Sequence, residues 1–160
     1  MKASPVSDDG LKPTERAFFE ELNHRGVKFL LVGMGAAIIE GAPVTTVDLD
    51  VWFGNQPAWD EIRAALGQVG GFYSPGSGLH PPMLGGPGLE RLDLVLHAHG
   101  LDTFEEEYTR SREYKLAGLK VRVLPLERVI VSKRAAWRPK DQAAIPALEA
   151  ALAAKRTREA

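Results

Sequence analysis

The chain has 160 residues, 44% of them hydrophobic and 26% charged, which predicts one domain with a core of its own. It contains no cysteine, which excludes disulfide scaffolds, zinc ribbons and thiol nucleophiles and agrees with a reducing, cytoplasmic setting. Twenty Lys and Arg against 21 Asp and Glu give a net charge of -1, so no overall basic field marks a nucleic-acid binder.

Residues 1–12 are polar, carry Pro5 and Gly10, and read as a flexible leader without the apolar segment of a secretory signal. Pro13 suits a first helical turn, and Ala17, Phe18, Leu22 and Val27 form an apolar stripe closed by Gly26. Lys28 to Val32 is a continuous apolar run, the pattern of a buried strand. Gly33-Met34-Gly35 then leads into a short helix stopped by Gly41 and Pro43.

Thr45 to Phe53 alternates and is β-branched, so it predicts a second strand. Pro57 to Val69 has helical spacing. Residues 70–88 hold seven glycines and four prolines, which predicts a loop with sparse regular structure. Leu92 to Leu96 and Lys120 to Leu124 read as strands, with a charged helix over Thr103 to Arg112 between them. Pro125 starts a helix through Ala135, and an Ala-rich helix follows from Asp141 to about Lys155, ahead of a basic tail at 156–160. Alternation without doubly wound spacing predicts a single α/β (α+β) domain over 13–155, a small mixed sheet flanked by helices. No stretch is long and apolar enough to span a bilayer.

The chemistry concentrates between Gly33 and Phe53. A strand that ends in glycine and enters a helix aims backbone N–H groups at an anion. On the next strand, Asp48 and Asp50 are two apart and share a face, roughly 7 Å apart at Cα. An isolated Asp-x-Asp is most often a solvated edge. Behind a glycine turn, the pair matches a partial carboxylate site for Mg²⁺, completed by phosphate oxygens and water. Asp93, on the strand Arg91 to His97, is the candidate third carboxylate of a two-metal site for phosphoryl or nucleotidyl transfer.

The sequence of strand, Gly-rich turn, short helix, Gly41, Thr46-x-Asp48-x-Asp50 and later Asp93 resembles the DNA polymerase β-like nucleotidyltransferase superfamily. It is most similar to the minimal bacterial branch that includes toxins of toxin–antitoxin and abortive-infection systems. Downstream, Ser132-Lys133 through Arg138-Pro139-Lys140-Asp141 resembles that branch's helical segment. The resemblance implies a nucleotidyltransferase-like fold with C-terminal helices. It also implies transfer of a nucleoside monophosphate from an NTP, ATP among them, to a hydroxyl of an RNA 3′ end, a protein side chain or a small molecule. Asp48, Asp50 and Asp93 would hold two Mg²⁺ ions. Gly33, Gly35 and Thr46 would approach the triphosphate, Lys133 would contact a phosphate, and Asp141 would orient Lys133, Arg138 or Lys140. An antitoxin would be a partner. Met34, Val44 and Trp137 depart from the pattern, and Met34 and Val44 favour the alternative of a catalytically weak nucleotide sensor or protein-binding module.

Several features carry two readings. Lys133 and Arg134 also fit a solvated helix face, and Arg138, Lys140 and Asp141 fit capping and ion pairing. His97 and His99 have metal-ligand spacing without an evident third ligand, a pattern more common on surfaces. Trp52, Phe53, Trp59 and Trp137 suit base stacking, although such aromatics usually lie in the core. The 70–88 segment reads as a passive connection or as a lid carrying acceptor specificity.

Overall fold

The computed structural model describes residues 10–160, so the expected leader at 1–9 lies outside the described residues. Helix α1 (Pro13–His24) opens on proline, and Glu15 reaches back to accept the Lys12 N–H at 2.9 Å. Its Phe18, Phe19 and Leu22 are fully buried. Strand β1 (Leu30–Val32) is buried at every position and runs straight into α2 (Gly33–Ile39). There follow β2 (Leu49–Trp52), α3 (Trp59–Gln68), β3 (Phe72–Ser74), β4 (Met83–Gly85) and β5 (Leu92–Val95). The chain finishes with α4 (Phe104–Arg110), β6 (Arg112–Leu116), β7 (Leu119–Val123), α5 (Leu126–Ala136) and α6 (Pro139–Glu159).

Five strands form one mixed sheet in the order β5-β2-β1-β7-β6. The β1–β2 and β6–β7 pairs are antiparallel, whereas β2–β5 and β1–β7 are parallel. The core lies between this sheet and its helices and draws on Leu30, Leu49, Val51, Ile62, Leu124 and Leu148. The α+β class expected from the sequence is the one observed. No helix among the described residues is long and apolar enough to cross a membrane.

Four local differences have physical reasons. The second strand is shorter than expected, because Thr46 Oγ1 accepts the Asp48 N–H at 3.2 Å and turns the chain just ahead of the ladder. Residues 70–88 carry regular structure after all, in the β3–β4 pair. Gly85 is a packing residue there: a Cβ on it would lie 2.5 Å from the Phe72 ring. Strand β6 was not expected, since its polar Arg112, Glu113 and Lys115 mask the alternation, and its turn is Ala117-Gly118 rather than Asn-Gly. Both turn residues have positive φ, 51° and 79°, as a two-residue hairpin requires. The basic tail is largely helical, because α6 runs on to Glu159.

Buried carboxylates tie the layers together. Glu15 and Arg91 are both fully buried, and Arg91 Nε donates to Glu15 Oε2 at 2.9 Å, joining α1 to the start of β5. Glu40, after α2, accepts from Arg112 at 2.7 Å, from the Leu126 N–H at 2.8 Å and from the Tyr114 hydroxyl, and it pairs with Lys155 at 2.9 Å. Burial works to raise the Glu40 pKa, but these donors outweigh it and hold the carboxyl below its ordinary range.

Removing one partner of the Glu15–Arg91 pair strands a charge in the core, which costs about 3–5 kcal/mol. Arg91→Met is therefore expected to lower the urea midpoint sharply. The double variant Glu15→Leu/Arg91→Met is expected to recover much of that loss, as a double-mutant cycle of unfolding free energies will show.

Candidate active site

The site is built by strand register. In the parallel β2–β5 pair, Asp50 stands opposite Asp93, and in the antiparallel β1–β2 pair, Val32 stands opposite Asp50. Residues paired in register present side chains to the same face. Leu49 and Val51 are fully buried on the other face, which commits Asp50 to this one. Asp48 lies two residues earlier, at the mouth of the strand.

The face opens into a cleft of about 290 Å³, lined by Gly33, all three aspartates, and Lys133, Arg138 and Lys140 from the opposite wall. Gly33 has φ +67°, and a Cβ there would lie 2.2 Å from Asp50 Oδ2. Glycine is thus required twice, for the backbone turn and for the approach of the carboxylate. Burial pushes the Asp50 pKa up to about 6; the charges of Asp93 and Asp48 add to the rise, while Lys133 and Lys140 oppose it. Asp93 is raised as well, by partial burial and by Asp48. No hydrogen bond contributes to either shift, so among the described residues neither carboxylate has a donor for its charge.

The basic wall is organised by one buried carboxylate. Asp141 is fully buried, pairs with Lys133 Nζ at 3.2 Å, and accepts from Arg138 Nε at 2.8 Å. It also accepts the Arg138 backbone N–H at 3.0 Å, which caps α6. Burial tends to raise its pKa, but the Arg138 and Lys133 bonds prevail and hold it down at about 2. Capping and cleft placement are thus one arrangement, since the residues that pair with Asp141 also line the cleft.

Two expected site residues lie elsewhere. Gly35 faces the core, where a Cβ would meet Leu49 Cδ1 at 3.1 Å, and it does not line the cleft. Thr46 acts on the backbone of Asp48 instead of lining the cleft. Met34 and Val44, the departures from the family pattern, pack against the core and do not obstruct the opening. Arg134 points to Glu149 on α6. No residue of the 70–88 segment lines the cleft, which favours its reading as a connection over its reading as a lid.

His97 and His99, read from the sequence as a surface pair in preference to metal ligands, line the cleft with their rings edge to face at 4.6 Å. Ser132 lines it as well, and the sequence assigned it no role of its own.

Among the described residues, no three His, Asp or Glu side chains are gathered into a ready-made metal cage. The three aspartates, with unsatisfied charge, still fit Mg²⁺, which keeps several waters and takes only one or two carboxylates alongside substrate phosphates.

No protein-family model matches the chain, and no curated protein matches it. Among solved structures, it is similar to ANT(2″)-Ia in complex with adenylyl-2″-tobramycin. That likeness has a TM-score of 0.54 at 18% identity, over 90% of this chain and 95% of that one. The fold is nucleotidyltransferase-like. The match extends over nearly the whole chain.

Asp50 binds its proton more tightly when folded, at about 6 against 3.8 for the ordinary value. Its contribution to stability is therefore intact below the ordinary value and lost as pH rises through about 6. In metal-free buffer at pH 7, Asp50→Asn is expected to be more stable than the parent by up to about 3 kcal/mol. Thermal melts from pH 4 to 7 in chelator should show that gap closing at the acid end.

Proposed function

We propose that the chain is a Mg²⁺-dependent nucleotidyltransferase. The observation that carries this reading is the polarised cleft, in which three aspartates face Lys133, Arg138 and Lys140 beside the tight turn at Gly33. The similarity to ANT(2″)-Ia in complex with adenylyl-2″-tobramycin supports it. Asp48, Asp50 and Asp93 are the residues to hold the metal, two ions in the full arrangement. Bound Mg²⁺ would neutralise phosphate charge and lower the pKa of an attacking hydroxyl.

This chain's own residues do the rest. Asp50 and Asp93, short of donors and raised in pKa, gain most from a cation placed between them. Lys133 and Arg138, fixed from beneath by Asp141, offer positive charge to the triphosphate and the departing pyrophosphate. Lys140 lies beside them, and Asp93 is placed to accept the acceptor's proton. In the transfer, the acceptor oxygen bonds to the α-phosphorus of the NTP, and the bond from that phosphorus to the bridging oxygen breaks. Pyrophosphate leaves with that electron pair.

The acceptor class remains the one set by the reaction: a hydroxyl on an RNA 3′ end, a protein or a small molecule. The toxin role, with an antitoxin as protein partner in the cytoplasm, is the part of the proposal that the sequence resemblance supports. The sensor alternative leaned on Met34 and Val44, and neither side chain reaches the cleft.

With Mg²⁺, radiolabelled NTPs, and total RNA or lysate as acceptor, label transfer is expected from the parent chain. Asp48→Ala and Asp50→Asn should reduce it by about a thousandfold or more, whereas Lys133→Ala should reduce it less and mainly by weakening NTP binding. Transfer that survives Asp48→Ala undiminished sinks the mechanism, and NTP binding without transfer in the parent restores the sensor reading.

A further inference from the structure

Strand β6 ends the main sheet, with β7 on its inner side and no strand of the described residues beyond it. The Ala117-Gly118 turn joins the two strands with Leu116 opposite Leu119, Tyr114 opposite Val121 and Arg112 opposite Val123. A two-residue turn closes on a hydrogen-bonded pair, and such pairs recur at every second residue along an antiparallel ladder. Leu116, Tyr114 and Arg112 therefore direct their peptide groups at β7. Glu113 and Lys115 direct theirs outward, where none of these groups meets a partner among the described residues.

The side chains of these two residues are unmatched as well. Both are exposed, and both stand on one face of the strand. Glu113 lies opposite Arg122 in the ladder, but Arg122 is turned elsewhere. Its Nη1 donates to the Ser111 carbonyl at 3.0 Å, and its guanidinium sits 5.6 Å from the centre of the Tyr108 ring. Lys115 lies opposite Lys120, a like-charge pairing that works against the hairpin. Among the described residues, neither Glu113 nor Lys115 forms an ion pair.

An open edge is a template for another strand, and its charges decide which strand fits. Set antiparallel against a second copy of itself, with Tyr114 at the twofold axis, β6 places Glu113 of each chain opposite Lys115 of the other. The two outward-facing residues then meet as hydrogen-bonded pairs, each exchanging both of its N–H···O bonds. Sliding one copy by two residues brings Glu113 against Glu113 or Lys115 against Lys115. Sliding it by one turns bonding groups of one strand onto non-bonding groups of the other. The charges thus admit one register and oppose its neighbours.

We propose that two copies of this chain pair through β6, antiparallel about Tyr114, so that their sheets run on into one. Lys115, which faces Lys120 in its own hairpin, gains from the second copy the acid it lacks. Glu113 gains the cation that Arg122 does not supply. The cleft lies at β2 and β5, toward the other end of the strand order, so the seam is remote from it and does not depend on the reaction performed there. Each copy contributes one strand of five residues, which places the contact among weak, reversible associations.

Sedimentation velocity of the full-length chain, run from low to high micromolar concentration, is expected to show a reversible shift from 17.4 kDa toward twice that mass. Glu113→Lys and Lys115→Glu each set like charges against one another at both ends of the seam. Either is expected to weaken the dimer about tenfold or more, with a melting temperature close to the parent's because both side chains are exposed. Mixed in equal amounts, the two variants are expected to associate with each other, since each supplies the charge that the other has lost. The double variant Glu113→Lys/Lys115→Glu should pair with itself as the parent does. In the parent, hydrogen exchange at the Glu113 and Lys115 amides should slow as concentration rises, while that of Leu92 to Val95 stays constant.

A mass that remains at 17.4 kDa throughout the range overturns the proposal. A dimer that persists undiminished in either single variant assigns the contact to another surface and overturns it equally. So does a mixture of the two variants that stays monomeric.

Discussion

The site depends on the register of β2 against β5. Placing Asp50 beside Asp93 in a parallel pair is unfavourable by itself, because two like charges stand on neighbouring strands with no donor to share. The register is imposed from the other face and from one end. Leu49 and Val51 are fully buried, and a slip of one residue would exchange them with the aspartates. At the end, the Leu49 N–H donates to the Arg91 carbonyl at 2.7 Å, and the Arg91 side chain is bound to buried Glu15. Core packing and one buried ion pair thus hold a charge arrangement that would otherwise relax apart. This is how a fold maintains a site that is locally unstable.

The molecule sorts its carboxylates into two kinds. Glu15, Glu40, Glu107 and Asp141 are buried, and each is matched by cations: Arg91, Arg112 with Lys155, Arg128, and Lys133 with Arg138. Asp48, Asp50 and Asp93 share a single cleft, where Lys133 and Lys140 act on Asp50 only through space. The first kind builds the frame, since breaking a buried pair is far more costly than forming it is favourable. The second kind is left electrostatically incomplete. A net charge of -1 hides this division, because the balancing cations are spent inside the frame and along one wall of the cleft.

What the sequence showed follows from how local each signal is. The glycine turn, the Asp48–Asp50 spacing and the strand of Asp93 were legible because each is a short pattern with its own period. The α+β class followed from the same alternation of elements. Strand β6 was hidden, because Glu113 and Lys115 are exposed and Arg112 and Tyr114 are drawn to Glu40, a partner 72 and 74 residues away in sequence. Nothing in its neighbours in sequence sets Glu40 apart at the end of α2. Its burial is decided by β6, α5 and α6 together, and no window of sequence contains all three. Gly35 shows the same limit: its spacing suits a phosphate turn, and the strand beneath it sets its packing on Leu49.

Trp137 shows how a departure from a family pattern is absorbed. It has φ 48° and ψ 37°, the left-handed region that favours glycine. A side chain there costs about 1–2 kcal/mol in backbone strain. The strain is tolerated because the Trp137 N–H donates to the Lys133 carbonyl at 2.9 Å and its own carbonyl accepts from Gln142 Nε2 at 3.0 Å. The ring is 56% exposed and meets no packing conflict. The left-handed residue turns α5 directly into α6, and that reversal delivers Lys133, from one helix, and Arg138, ahead of the next, to the same buried Asp141. The basic wall of the cleft thus rests on a backbone conformation, which a tryptophan with two good hydrogen bonds maintains in place of a glycine.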